Sequence, residues 1–302
     1  MGAAQQTTLR SSVEFEGVGL HSGKHCHIAI HPARQDYGLM FRRVDIAADT
    51  SSVVDHRCIE ARPDNVVRSD HGTTLANTYG VSVETVEHLL AAFALMQIDN
   101  ARIDVTGPEL PILDGSAVHF VQALSSTGMT THSAPRKIHK IHEAIRVEHG
   151  DRSIEILPAD RFSIDIEIDF EDCLIGRQTL SLSLEDPLEV ERLAKSRTFC
   201  RLNEIDALRE AGLGRGGSLE NSIVVNGGEL LNEERLRDPQ EFVLHKALDL
   251  IGDLYLLGGP IIGAVQANKP GHELNRRAAL AIAEQTQVLD VDNQSAPTAA
   301  LA

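Results

Sequence analysis

Residues 161–170 alternate strictly, with Phe162, Ile164, Ile166, Ile168 and Phe170 on one side and Arg161, Ser163, Asp165, Glu167 and Asp169 on the other. Side chains of a strand point alternately to its two faces, so this is a strand with one buried and one wet face. Such strands belong to antiparallel sheets covered on one side only. Shorter strand-like runs occupy 25–31, 38–44, 73–77 and 101–106, interrupted by helical patterns at 82–96, with Ser82 as cap, and at 116–125. Helical periodicity returns at 187–195, 203–211, 238–257 and 272–286. Both halves thus mix strands and helices without a regular βαβ alternation. The expected class is α+β, as two packed domains. The polar stretch 125–136, with Gly128 and Pro135, is the expected linker, dividing the chain into 1–128 and 129–286. Residues 287–302 read as a disordered tail, and no sequence repeat is visible.

Aromatics make up only 4% of the 302 residues and Trp is absent, so the core must be aliphatic. Lys and Arg number 28 against 44 Asp and Glu, a net charge of −16. That surface repels polyphosphate, which argues against nucleic-acid partners but leaves room for a local basic pocket. The start lacks the apolar segment of a signal peptide, and the longest apolar run, 254–265, is broken by Gly258-Gly259-Pro260. The expectation is a cytoplasmic protein with no membrane span. Cys26, Cys58, Cys173 and Cys200 are dispersed with no CxxC, which fits reduced thiols.

The segment 238–257 carries the strongest chemical signal. Asp238-Pro239-Gln240-Glu241 reads as an N-cap, a first-turn proline and an acidic third residue, and Gly258-Gly259-Pro260 ends the helix. Apolar residues cover more than half its circumference. His245, Asp249 and Asp253 fall on the remaining stripe, beside Lys246 and Gly252. A solvated helix face would look similar, but this stripe is narrow and lacks the usual Glu/Lys mixture. Its glycine also marks a place for close approach. His and Asp four apart project side by side and suit two ligands of one metal ion. A catalytic zinc takes a third protein ligand from elsewhere. Glu87-His88 offers a ligand beside a proton acceptor, although with 14 histidines composition alone does not select it.

Two phosphate-like signals fail on their details. Residues 17–24 resemble a P-loop, but the first glycine is one position out and His25 stands where Ser or Thr is required. Gly212-Leu213-Gly214-Arg215-Gly216-Gly217 lacks the strand-to-helix setting of a dinucleotide site. His272 follows Lys269-Pro270-Gly271 at the start of the last helix, where a lone histidine is ordinarily a surface residue.

Together these segments closely resemble the UDP-3-O-acyl-N-acetylglucosamine deacetylase family, zinc amidases of lipid A synthesis. The matching stretches are Gly17-Val-Gly-Leu-His-Ser-Gly-Lys24, Thr85-Val-Glu-His-Leu-Leu90, Ile98-Asp-Asn100 and Glu109-Leu-Pro-Ile-Leu-Asp-Gly-Ser116. They continue with Ser196-Arg-Thr-Phe199, Gly216-Gly-Ser218, His245-Lys-Ala-Leu-Asp249, Gly252-Asp253 and Gly271-His272, in family order over about 8–285. The resemblance implies a two-domain sandwich, each domain a mostly antiparallel sheet with helices packed between the sheets. It implies one zinc per chain, held by His88, His245 and Asp249. Glu87 corresponds to the general base, and His272 to the cation that steadies the oxyanion and protonates the leaving amine, with Asp253 orienting it. Thr198 would polarise the amide carbonyl and Lys246 would meet the substrate's anionic part. Asp169, Phe170 and Phe199 complete the substrate contacts, Asp169-Phe170 at the uridine end. The segment 201–225 corresponds to the insert forming an acyl passage, with Leu202, Ile205, Leu208 and Leu213 as candidate lining.

The implied substrate is a lipid-bearing UDP-sugar, the implied state a monomer, and any membrane contact weak and peripheral. A Glu/His acid–base pair predicts a bell-shaped pH–rate profile across about pH 5–10. The competing readings are a zinc amidohydrolase for another acetylated sugar nucleotide and a non-catalytic zinc-containing binder. Two His and one Asp also accept iron or cobalt.

Overall fold

The structure, a computed structural model, describes residues 5–49, 54–170 and 174–294. One five-stranded sheet comprises β1 (Val13–Val18), β2 (His25–Pro32), β3 (Leu39–Arg43), β4 (Cys58–Glu60) and β5 (Ala101–Val105), in the order β1-β2-β5-β3-β4. The other comprises β6 (Ile145–His149), β7 (Arg152–Leu157), β8 (Ser163–Phe170), β9 (Gly176–Leu182) and β10 (Ala264–Asn268), in the order β6-β7-β10-β8-β9. Order and direction coincide. Only the β5–β3 and β10–β8 pairs are parallel, and every other pair within these two sheets is antiparallel. One architecture is therefore built twice without a visible sequence repeat, because alternation of polarity specifies a strand and many residue choices satisfy it. In β8 the alternation is realised, with Ile164, Ile166 and Ile168 buried.

Six helices are described: α1 (Glu87–Leu95), α2 (Val118–Thr127), α3 (Pro187–Lys195), α4 (Ile205–Glu210), α5 (Glu241–Leu254) and α6 (His272–Gln294). Two aliphatic cores form, one between the first sheet and α1–α2, the other between the second sheet and α5–α6. The halves exchange side chains: Ala91 and Ala117 join the second core, and Tyr255 and Leu256 join the first. Helices α1 and α5 face each other in the middle of the sandwich, and every residue of α5 except Lys246 is buried. The His/Asp stripe is therefore an internal seam and not a solvated face.

Several local expectations shift. Ser82 caps no helix, because Ser82–Val83 pairs with the strand Thr74–Ala76 and α1 begins only at Glu87. The break falls at Thr85, whose φ of 57° is rare for a β-branched residue and costs about 1–3 kcal/mol. Its hydroxyl is held by Glu109 at 2.8 Å. The polar stretch expected as a linker contains a strand, Met129–Pro135, which pairs with Gln5–Leu9. Asp238 and Pro239 make a turn before α5 and are not its cap and first residue; Asp238 accepts the backbone N–H of Gln240 at 2.8 Å. Gly258 does end the helical run, at φ 74°. Helix α6 continues to Gln294, past the expected end at 286, since 287–294 hold no proline or glycine to stop it. Cys26, Cys58 and Cys200 are free thiols, whereas Cys173 lies outside the described residues.

Candidate active site

Helices α1 and α5 bring His88, His245 and Asp249 together in the buried seam. Their ligand atoms lie within 4.8 Å of one another, the only such group among the described residues that could hold a metal ion. Asp249 Oδ1 is 3.4 Å from His245 Nε2 and 3.7 Å from His88 Nε2. The two imidazoles stand edge to face with centroids 5.0 Å apart. His245 Nδ1 donates to the carbonyl of Ser196 at 3.2 Å, which turns the Nε2 lone pair toward the seam. Burial pushes His245 down to about 3, so it is neutral and able to ligate. Burial alone would raise Asp249, but His245 and Lys246 hold it well below the usual carboxylate range. Two imidazoles, that of His245 held neutral by burial, and one ionised carboxylate form the donor set of a catalytic zinc site, and the residues fit that ion.

Groups able to move protons flank the trio. Glu87, the first residue of α1, is buried, and its Oε2 accepts the Thr73 N–H at 2.9 Å. Burial raises its pKa, partly opposed by the His272 cation nearby. His272 opens α6, and its Nδ1 donates to Asp253 Oδ2 at 2.8 Å. Burial alone would lower His272, but Asp253, then Asp249 and Glu87, raise it to about 9, so the ring is a cation at neutral pH. Asp253 is itself buried and takes two more donors, Asn275 Nδ2 and Thr73 Oγ1.

His88, His245, Asp249, Glu87 and His272 all border one cavity of about 1070 Å³. Thr198, Lys246, Phe170, Asp169 and Phe199 also line it. Lys246 Nζ donates to Asp249 Oδ2 at 2.8 Å and sits 5.6 Å from the Phe199 ring centroid. Phe170, Phe199 and Phe242 form an edge-to-face series that reaches His245. Asp169 pairs with Lys269 at 3.3 Å. An apolar arm carries Ile205, Leu208 and Leu213 with Leu20 and Val224. Leu202, grouped with them from sequence, is instead 40% exposed and outside the lining.

The two false phosphate motifs explain each other. In the 17–24 turn, the N–H groups of His21 and Ser22 donate to the buried Glu109 carboxylate at 2.8 and 2.7 Å, occupying the place an anion would take. The 212–217 run then packs on that turn, with Gly216 N–H donating to Leu20 O at 3.0 Å. A Cβ on Gly216 would come within 2.2 Å of Gly19 O, so these glycines permit backbone contact between the halves.

Thr73, Asn275 and the Ser196 carbonyl have no chemical signature in sequence. Asn275 was findable only as the residue one turn after His272 on the same helix face. Gly252 did carry a signal: a Cβ there would lie 2.1 Å from Glu87 O and 3.2 Å from Ala91 N. Gly252→Ala is therefore expected to part α1 from α5, destabilising by about 1–3 kcal/mol through overpacking. Metal affinity should fall with it, because the three residues that could hold the ion come from both helices. Thermal unfolding and metal content check this, and a wild-type value for both would refute it.

A family model described as LpxC, UDP-3-O-acyl N-acetylglycosamine deacetylase, matches residues 6–284. The chain is 42% identical over 289 residues to a UDP-3-O-acyl-N-acetylglucosamine deacetylase of Pseudomonas entomophila, covering 95% of this chain and 93% of that protein. It is 41% identical over 278 residues to the deacetylase so named in Phenylobacterium zucineum, covering 92% and 93% respectively. A third, from Idiomarina loihiensis, is 41% identical over 302 residues, covering 98% of this chain and 96% of its own length.

Proposed function

We infer the workings of the site from one premise: this chain belongs to the UDP-3-O-acyl-N-acetylglucosamine deacetylase family. It is a hydrolytic enzyme that removes the N-acetyl group of UDP-3-O-acyl-N-acetylglucosamine in lipid A biosynthesis. The metal is zinc, one per chain, held by His88, His245 and Asp249. Support comes from the buried trio of two imidazoles, His245 held neutral by burial, and one carboxylate. Zinc in such a site polarises the amide carbonyl and lowers the pKa of water to about 7.

Glu87 accepts the proton of the attacking water. Its raised pKa makes it a stronger base than an exposed carboxylate, and the Thr73 N–H fixes its direction. The His272 cation faces the developing oxyanion and then gives its proton to the leaving amine, with Asp253 holding the ring through Nδ1. The Thr198 hydroxyl, also on the cavity lining, donates to the carbonyl oxygen, a contact type worth roughly 3–4 kcal/mol when preorganised. Lys246 meets the substrate's anionic part. Asp169 and Phe170 hold the nucleotide end, Phe199 adds a further substrate contact, and the arm with Ile205, Leu208 and Leu213 takes the acyl chain.

The two halves, 1–128 and 129–286, act as domains that each deliver part of the site: Thr73, Glu87 and His88 from the first, and Thr198, His245, Lys246, Asp249, Asp253 and His272 from the second. A single chain supplies every group, which supports a monomer. The free thiols support a cytoplasmic location. Among the described residues no helix is long and apolar enough to cross a membrane.

The test is acetate release from UDP-3-O-acyl-N-acetylglucosamine before chelation, after chelation and after zinc is returned. Activity is expected to vanish and come back. Full activity in metal-stripped protein would overturn the zinc assignment. No activity in any state, with metal bound, would point to another amide substrate or to a binding role.

A further inference from the structure

We propose that Thr73 is a positioning residue that joins the proton acceptor to the proton donor of the reaction, an inference that rests on the hydrolase reading above. Thr73 is buried at 2% exposure in the loop leading into the Thr74–Ala76 strand, outside both ligand-bearing helices. Its backbone N–H donates to Glu87 Oε2 at 2.9 Å, and its carbonyl accepts the Val86 N–H at 3.3 Å. Its hydroxyl donates to Asp253 Oδ1 at 2.5 Å and stands 3.4 Å from His272 Nδ1. One residue of the first half therefore touches the base and the carboxylate that orients the acid of the second.

The consequence for Asp253 is geometric. Its side chain is 1% exposed, so no bulk water completes its hydrogen bonding. With Oδ1 taken by Thr73, Oδ2 is left to His272 Nδ1 and Asn275 Nδ2, both at 2.8 Å. The imidazole is thereby fixed by Nδ1, and Nε2 is the nitrogen left for the cavity that His272 lines. Without the hydroxyl the carboxylate can rotate, and its charge is concentrated on His272. The charged and titratable groups around that ring are Asp253 and Asp249 of α5, Glu87 of α1 and His71 of the adjoining loop.

Thr73→Val keeps the branched shape and the backbone N–H but removes the donor, while Thr73→Ser keeps the donor. On zinc-loaded protein, Thr73→Val is expected to lower kcat about 10- to 100-fold with KM little changed, the scale of a hydrogen bond to a charged group. The His272 titration, followed by NMR of its ring protons, should move upward from about 9, and the alkaline limb of the pH–rate profile should follow it. Thr73→Ser should restore both, with metal content unchanged throughout. Thr73→Ala, which places no methyl against the carboxylate, serves the same purpose if the valine variant does not accumulate. A Thr73→Val enzyme with wild-type kcat, or with a wild-type His272 titration, would overturn the proposal. A wild-type, zinc-loaded protein that releases no acetate would instead overturn the hydrolase reading, and the NMR titration would still report on the Thr73 contact.

Discussion

Glu87→Gln is expected to keep its metal and lose turnover by about 10²- to 10⁴-fold, the span of general acid–base catalysis. The substitution preserves volume, and the amide oxygen can still accept the Thr73 N–H that Glu87 Oε2 takes at 2.9 Å. The helix start and the neighbouring His88 should therefore stay in place. What disappears is a group able to accept a proton at neutral pH. KM should change little, because the proposed role of Glu87 is on the water and not on the substrate's distant parts. Stability should hold or rise, since a buried carboxylate whose pKa is raised by burial is replaced by a neutral amide. Steady-state kinetics, elemental analysis and a thermal melt on one preparation check all four outcomes. Full activity with metal bound would refute Glu87 as the base. Loss of activity together with loss of metal would move Glu87 from chemistry to metal retention.

The largest expected loss of stability lies away from the reacting groups, at Arg197. Its guanidinium is 3% exposed and meets Glu241, which is fully buried, with Nε at 2.8 Å. The Glu241 carboxylate also accepts the backbone N–H groups of Arg197 and Arg237 at 3.1 and 2.7 Å. Removing one partner of a buried pair leaves an uncompensated charge, so Arg197→Met is expected to destabilise by about 3–5 kcal/mol. Arg197→Met combined with Glu241→Gln should recover part of that loss, because the stranded charge goes too. By contrast Arg146, paired with Glu148 where both side chains are more than half exposed, should tolerate alanine with no measurable change. The Arg197 effect should reach the site as well. Ser196 before it offers the carbonyl that orients His245, Thr198 after it lines the cavity, and Glu241 opens the helix bearing His245 and Asp249. A melt and a metal-affinity measurement decide the matter, and an Arg197→Met protein as stable as wild type would refute it.

Legibility in the sequence followed the range of the interaction. Helix α3 falls at 187–195 as expected, with Asp186 capping it through a 2.9 Å bond to Leu188 N–H, because cap and periodicity are both local. The His245/Asp249 pair was visible for the same reason: four residues on a helix place two side chains on one face. The start of α1 was misplaced because Ser82–Val83 finds a strand partner and Thr85 turns under the hold of Glu109, 24 residues away. The matching topology of the two sheets left no trace, since polarity patterns tolerate wholesale change of residues. His272 read alone was a helix-end histidine, and the contact that makes it a cation, Asp253, lies 19 residues away.

By itself the sequence determined the class of elements, the aliphatic core, the acidic surface and one His/Asp pair on a single helix face, all of which follow from backbone periods of two and 3.6 residues and from bulk charge. Periodicity and charge did not bring His88 to that pair or Glu87 and His272 beside it, which the family resemblance implied and the packing realises, and only tertiary structure decided that Thr73 and Asn275 share Asp253. It also decided why the glycines are where they are: Gly252 admits the α1 backbone, and Gly216 admits the turn at Gly19. The division has a physical cause. A side chain's face is set by its nearest neighbours along the chain, whereas its proton affinity, its partner and its ligand role are set by desolvation and by charges that only the packing of two halves brings within hydrogen-bond reach.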